Sequence, residues 1–395
     1  MSNKNVAVAG ISVSPVTKNL EIPIKDLAFK MVKEALADAR IPKEELDGFF
    51  VTNPGMAGPP YCMFACDLAD YLQLETKSLA LVETGGTSSF TALHFALDEI
   101  LSGRTRVSLV LGIDSRAKEI IDDFKLFITD GIMTQTSLYG SYKGPYGIGA
   151  PIPYYAMSTQ RYLYECKLTE EDLAEVSVRL RDNASRNPRA LYQKPISVEE
   201  VMASPYLSPP LMLFDCSPFA SDAAPCMLVS PEVAKDLEKE PIYITGIGEY
   251  HHPSHFVPVK GSITESIAGQ KAGAEAFASA GIKPGDVNVA EVYGVFSGTE
   301  LMILEDLGFF EKGRAARAFR EGKTALDGEV AVDPSGGRLS LGHPPSATPM
   351  MELVEVVEQL RGEAGERQVK NARVGLVHAE HGMLNGSIIL ILEKK

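Results

Sequence analysis

A chain of 395 residues, 45% hydrophobic and 23% charged, has the profile of a globular protein with room for two core-bearing halves. Its formal net charge of -14 argues against nucleic acid or anionic lipid as a partner. No apolar run approaches the roughly 20 residues that span a bilayer, and the opening MSNKNVAVAG carries no secretory apolar core, so the expected location is the cytoplasm.

In chain order, a strand with a glycine exit (NVAVAGI, ending at Ile11) precedes an amphipathic helix that closes on Glu34 to Ile41. The acidic turn IPKEELD follows, then a strand over Gly48 to Val51. Gly86 to Leu93 is a small-residue turn opening a helix, and VSLVLGID is the next strand. Residues 115 to 210 differ in character. They are rich in Tyr, Pro and Gly (GSYKGPYGIGAPIPYYAMS) and then helical, with Thr169 as N-cap ahead of Glu170, Glu171 and Asp172. A stretch of that length in a compact protein is usually functional, and its aromatics argue against disorder. Tyr142, Tyr146, Tyr154 and Tyr155 read either as an aromatic lid for a bulky apolar group or as packing for this region.

The pattern then recurs. Strand IYITGIG leads to a helix closing on Glu275 to Ile282, where five of eight positions match Glu34 to Ile41 at an offset of 241. The turn IKPGDVN and a strand over Val289 to Val292 keep that offset. A second small-residue elbow, Ser346 to Leu353, parallels Gly86 to Leu93 and is followed by strand RVGLVHAE. Two such β-α-β halves predict an α/β fold by internal duplication. The expected division is 1–114 with 211–240 as the first half, 115–210 as an inserted loop domain, and 241–395 as the second half.

Five cysteines without a secretory signal argue against a disulfide framework, and the CxxxC pair Cys62 and Cys66 reads as small buried hydrophobes. The run His251, His252 and His255 reads as a surface loop. Glu291 and Asp215, at strand or turn ends, read as structural. The stretch Asp333 to Thr348 (DPSGGRLSLGHPPSAT) fixes His343 between Gly342 and a proline, just ahead of a helix. That placement suits a donor to a developing oxyanion.

This stretch resembles the GHPxGAT signature of the thiolase superfamily. The runs from Ala156 (AMSTQRYLYECKLTEEDL), Phe214 (FDCSPF), Ala290 (AEVYGVF), Leu304 (LEDLGFF) and Gln359 (QLRGEAGERQV) extend the resemblance to the sterol-carrier-protein-x branch over most of the chain. The resemblance implies a five-layered αβαβα thiolase fold with facing elbows and a homodimer built on the first half. It implies an acyl-CoA substrate, with coenzyme A as part of that substrate and no bound cofactor. It also implies a zinc-ribbon/OB-fold partner of the DUF35 family in a hetero-oligomer.

The chemistry departs from that of a thiolase, whose cysteine thiolate sits at a helix N-terminus and takes the acyl group. Here VETGGTSSFTAL puts Gly86 at that position, with Thr87 and Ser88 beside it. The expected roles are backbone approach to the ligand by Gly85 and Gly86, helix capping by Thr87 and Ser88, and substrate binding by Gly86, Thr87, Ser88 and Gly342. At the C-terminal position, where degradative thiolases carry a CxGxG turn, His378 is the candidate acid/base by resemblance. Tyr293 is another, from its place in EVYGVF, where relatives carry Tyr-Asp-x-Phe and this chain has Gly294 for the aspartate. His378, Glu380 and His381 also invite a metal reading, which is set aside for a catalytic or structural histidine.

Three readings stay open. The favoured one is retro-aldol cleavage of a β-hydroxyacyl-CoA, with Tyr293 or His378 as base and His343 with the Gly86 N–H holding the thioester enolate. The second is retro-Claisen acyl transfer from a β-ketoacyl-CoA. The third is a non-catalytic acyl-CoA-binding subunit.

Overall fold

The computed structural model describes residues 6–54, 63–115, 148, 151–253, 262–382 and 384–395. The first half contributes β1 (Ala7–Ile11), α1 (Ile24–Ala39), β2 (Gly48–Thr52), α2 (Phe64–Leu72), β3 (Ser78–Val82), α3 (Ser88–Leu101) and β4 (Val107–Asp114). Two helices follow, α4 (Ile152–Cys166) and α5 (Glu170–Ala184). Next come a small ribbon, β5 (Tyr206–Ser208) with β6 (Leu211–Met212), and then β7 (Asp222–Val229). The second half contributes β8 (Ile242–His251), α6 (Ile267–Ala280), β9 (Val289–Glu291), α7 (Ser297–Asp306), β10 (Ala331–Val332), α8 (Gly337–Leu341), α9 (Thr348–Arg361), β11 (Val374–Glu380) and β12 (Gly386–Lys394).

The duplication holds strand by strand. The first half runs β3-β2-β4-β7-β1 and the second β10-β9-β11-β12-β8. In each, the first three strands are parallel and the last two antiparallel. The two sets meet where Ala7 and Val8 of β1 pair with Tyr243 and Ile242 of β8. The matching helices α1 and α6 both end on a left-handed residue, Arg40 at φ 55 and Gly281 at φ 74.

Three cores give five layers. One joins α1 and α2 to the outer face of the first set of strands, through Leu27, Met31, Phe49, Leu68 and Leu109. The central core joins the inner faces of both sets to α3 and α9, through Phe90, Leu93, Leu353 and Val357. The third joins α6 and α7 to the outer face of the second set, and Tyr155, Tyr162, Leu173 and Leu180 of α4 and α5 belong to it. Because both faces of the strands are covered, β4 and β7 are buried along their whole length, which explains their near-continuous apolar sequence. Asp172 accepts from the Thr169 N–H at 2.8 Å, so Thr169 starts α5 as its sequence predicts. No helix among the described residues is long and apolar enough to cross a membrane.

Candidate active site

The two small-residue elbows converge on β4. A Cβ at Gly112 would lie 2.9 Å from Met350 Cβ, 3.2 Å from Ala347 Cα and 3.3 Å from Ser89 Cβ, so a bare strand lets the first turns of α3 and α9 pack side by side. Asp114, at the end of the same strand, accepts from the Ser346 N–H at 2.9 Å and fixes the second elbow.

The first elbow is held by its own hydroxyls. Ser88 Oγ donates to the Gly85 carbonyl at 2.6 Å and accepts from the Thr84 N–H at 3.0 Å. Thr87 Oγ1 donates to the Thr84 carbonyl at 3.0 Å and lies 2.7 Å from His381 Nδ1. Thr87 stands at the N-cap of α3 but makes no capping bond, so the expected helix-capping role becomes a loop-tying one.

The space beside the Gly86 α-carbon is occupied. A Cβ there would come within 2.7 Å of Tyr293 Cζ, and nearer still to the Tyr293 hydroxyl and the Glu380 carbonyl. The space where a nucleophile would start is filled by a phenol. The Gly86 N–H donates to the His381 carbonyl at 2.9 Å.

Tyr293 leaves β9 at 4% exposure. Its N–H donates to His378 Nδ1 and its hydroxyl to the Pro345 carbonyl, both at 3.3 Å. Its ring stands edge-on to His343 with centroids 5.3 Å apart. The Arg338 guanidinium lies 5.5 Å from its centroid. Burial pushes the phenol far above its ordinary range, so Tyr293 keeps its proton and is a standing donor.

His343 is pinned by its backbone, donating to the Pro218 carbonyl at 2.9 Å and accepting from the Ala220 N–H at 3.1 Å. Thr348 Oγ1 spends its one proton on the Pro344 carbonyl at 2.7 Å, so in its 3.3 Å contact with His343 Nδ1 it accepts. That network assigns the proton to Nδ1 and leaves Nε2 an acceptor. Burial, aided by Arg338, pushes the imidazole down to about 3, so it is neutral. Gly342, with φ at 116, is required by the turn, and a Cβ there would meet Val16 at 2.8 Å and Ala220 at 3.4 Å. Its α-carbon thus packs against protein.

His378 is held by the fold on both sides of its ring. Its Nδ1 accepts the Tyr293 N–H, so Nε2 carries the proton toward Ser387 Oγ at 3.2 Å. Both ring nitrogens are occupied by the fold at 1% exposure, and burial pushes the ring down to about 3. Through the Tyr293 N–H it helps to position Tyr293. Glu380, grouped with two histidines in the sequence, is buried at the end of β11. Its Oε1 accepts from Tyr155 Oη at 2.8 Å and from the Leu384 N–H at 2.6 Å.

A second group was invisible in the sequence. Glu291, Glu300, Asp333 and Glu352 surround Arg338, all at 0% exposure, with Arg338 ion-paired to Glu352. Burial pushes Glu300 up to about 8 and holds Glu291 and Asp333 well above the usual carboxylate range, so this cluster keeps protons as well as charge. Asp333 Oδ1 accepts from the Val292 N–H at 2.8 Å, and Glu291 accepts from the Ser335 N–H and hydroxyl at 2.9 and 2.7 Å. The cluster thus buttresses the strand end that carries Tyr293, and Glu291 is structural as read. So is Asp215, which accepts from Ser297 Oγ at 2.7 Å and from the Met212 N–H at 3.0 Å. Glu291, Asp333 and Glu352 form the one potential metal-binding trio among the described residues.

Other sequence signals lie elsewhere. His251 meets His381 edge-on at 5.6 Å. Cys66 is exposed and free, against its buried reading. Cys62, Tyr142, Tyr146 and His255 lie outside the described residues. Tyr154 and Tyr155 are buried, and Tyr155 packs on Phe296 with centroids 4.7 Å apart, which supports the packing reading for those two.

Residues 248–394 match the family model described as thiolase C-terminal domain-like. An acetyl-CoA acetyltransferase of Methanothermobacter thermautotrophicus is 33% identical over 380 residues, covering 95% of this chain and 96% of that protein. The 17-hydroxy-3-oxo-4-pregnene-20-carboxyl-CoA lyase of Mycobacterium tuberculosis is 26% identical over 398 residues, covering 99% and 100%. A solved structure described as an Ltp2-ChsH2(DUF35) aldolase superposes with a TM-score of 0.84 at 25% identity, covering 100% of this chain and 98% of that one.

Proposed function

The chain belongs to the thiolase superfamily, and from that membership we propose that it is an acyl-CoA carbon–carbon lyase cleaving a β-hydroxyacyl-CoA by a retro-aldol step. The carrying observation is the filled space at Gly86. The Tyr293 ring and hydroxyl stand where a nucleophile's side chain would begin, so no acyl-enzyme forms there. Retro-aldol cleavage needs no such intermediate. It needs an acceptor for the β-hydroxyl proton and a donor for the thioester oxygen as it becomes an enolate.

His343 Nε2 is that acceptor and the Tyr293 hydroxyl that donor, the reverse of the assignment the sequence suggested. The hydroxyl's own bond to Pro345, at 3.3 Å, is long enough to exchange for a stronger one to a developing oxyanion. The likeness to a CoA lyase and to an aldolase structure supports this reading. The likeness to an acetyl-CoA acetyltransferase favours acyl transfer from a β-ketoacyl-CoA as the second reading.

Two partners belong to the proposal. A homodimer would form along β3, an edge strand on which Leu79 and Leu81 are exposed, near exposed Phe95 of α3. Sedimentation at a monomer's mass would rule it out. A DUF35 protein is proposed from the aldolase structure, whose description names one.

The test is product analysis by mass spectrometry, on the chain alone and with a DUF35 protein. A β-hydroxyacyl-CoA and, separately, a β-ketoacyl-CoA with free CoA are supplied. Aldehyde or ketone from the hydroxy substrate, lost in Tyr293→Phe and His343→Ala, is the expected result. A new acyl-CoA from the keto substrate alone would overturn the lyase reading in favour of acyl transfer.

A further inference from the structure

The side chains packed on a general base also border the carbon whose hydroxyl proton it takes. On His343 these include Tyr293, edge-on at 5.3 Å, and Phe219, whose ring is inclined by 27° to the imidazole with centroids 5.8 Å apart. The two aromatics differ in exposure. Tyr293 is 4% exposed, whereas Phe219 is 48% exposed although the imidazole it lies on is at 8%. A lone exposed apolar side chain needs no explanation by itself. A ring half open to solvent and laid against the base of the site is a different case.

The backbone fixes that ring. Phe219 lies in the extended segment Cys216 to Ser221, which is pinned along its length. Cys216 bridges to Phe296, and the Ser217 N–H donates to the Val295 carbonyl at 3.0 Å. The Pro218 carbonyl and the Ala220 N–H, on either side of Phe219, both bond the His343 backbone. Ser221 exchanges two bonds with Thr17 at 2.8 and 3.2 Å. The ring is therefore held relative to the base before any ligand arrives, which removes an ordering cost from binding.

We propose that Phe219 sets specificity for the β-substituent, forming a platform that selects β-hydroxyacyl-CoA substrates with a flat, apolar ring on Cβ. This rests on the carbon–carbon cleavage reading given above. In that cleavage the β-hydroxyl sits about 2.7–3.0 Å from His343 Nε2, and Cβ is one covalent bond further on. Its substituents thus reach the ring that lies against the same imidazole. The β-hydroxyl proton passes to His343 Nε2 and the Cα–Cβ bond pair to the thioester, so those substituents leave on the released aldehyde or ketone. Phe219 offers them an aromatic face and no polar or charged atom. A phenyl group gains stacking and apolar burial there. A methyl group gains little, and an ionised group loses water without finding a partner.

The test compares two substrates that share the CoA portion and differ only at Cβ, on the full chain alone and with a DUF35 protein. β-Hydroxy-β-phenylpropanoyl-CoA yields benzaldehyde and acetyl-CoA. β-Hydroxybutanoyl-CoA yields acetaldehyde and acetyl-CoA. In the parent, kcat/KM for the phenyl substrate should exceed that for the methyl substrate by about 10- to 100-fold. In Phe219→Ala the ratio should collapse to within about threefold of unity, with Phe219→Leu between the two. Phe219 belongs to none of the three cores, so its truncation leaves them intact. An equal loss on both substrates would make Phe219 a support for His343 or a contact to the shared CoA portion, and would overturn the assignment. A parent that cleaves both substrates equally well would overturn it too, and either result leaves the lyase reading standing. A parent that releases no aldehyde from either substrate, while forming a new acyl-CoA from a β-ketoacyl-CoA, would overturn the lyase reading and this inference with it.

Discussion

Gly86→Ala is the sharpest test of the idea that Tyr293 has taken the nucleophile's space. One methyl is added. It would lie within 2.7 Å of Tyr293 Cζ and closer to the Tyr293 hydroxyl and the Glu380 carbonyl. The phenol can tilt, but the carbonyl belongs to β11, and moving it disturbs a strand paired on both sides. Overpacking of this kind costs about 1–3 kcal/mol. The loss of unfolded-state freedom on replacing glycine returns about 0.4–1 kcal/mol. A net destabilisation of about 1–2 kcal/mol follows, measured as a shift in urea midpoint by far-ultraviolet circular dichroism, with tyrosine fluorescence as a second probe because the chain has no tryptophan. Turnover should fall about 10²-fold as Tyr293 is displaced. Combining the change with Tyr293→Phe, which removes the hydroxyl but leaves the ring, should show a coupling of at least about 0.5 kcal/mol. Stability within about 0.5 kcal/mol of the parent, with undiminished turnover, would refute the reasoning. By the same geometry Gly86→Cys should create no working nucleophile.

His378→Asn removes an imidazole whose nitrogens serve Tyr293 and Ser387. It should cost about 1–3 kcal/mol in denaturant unfolding and leave the shape of the pH–rate profile unchanged. A lost limb in an intact fold would make His378 a proton carrier after all. Glu300 is pushed up to about 8 from an ordinary 4.5, so folding binds a proton between those values. Its contribution to stability is complete below about pH 4.5 and is lost as pH rises through about 8. Across that window the slope is about 1.4 kcal/mol per pH unit for one group. Glu300→Gln mimics the protonated form and should flatten the stability–pH curve by about that amount, read from urea midpoints between pH 5 and 8. An unchanged slope would mean that Glu300 is ionised in the fold.

Local pattern made much of this molecule readable. The repeat from Glu34 to Ile41 in Glu275 to Ile282 announces a duplication because helix period, turn and strand recur together, and the strand order confirms it. His343, Tyr293 and Gly86 stood out because their neighbours form recognisable turns. Arg338, Glu300 and Glu352 did not, since a charged residue in a sequence gives no sign that it will have 0% exposure. His378 is hard to assign from sequence for a related reason. Histidine is as good a buried hydrogen-bond bridge as a catalyst, and only its two partners, Tyr293 and Ser387, tell which.

The sequence by itself determined the two-halved α/β architecture, the family, and the lack of a cysteine at the elbow. Those follow from residue type and spacing along the chain. Only the tertiary structure decided what fills the space at Gly86, which nitrogen of His343 carries its proton, and which carboxyls stay protonated. These outcomes depend on burial and hydrogen bonds between Gly86, Tyr293, Glu380 and Thr348, which lie on segments far apart in the chain. A side chain's charge and tautomer are set by what surrounds it in space.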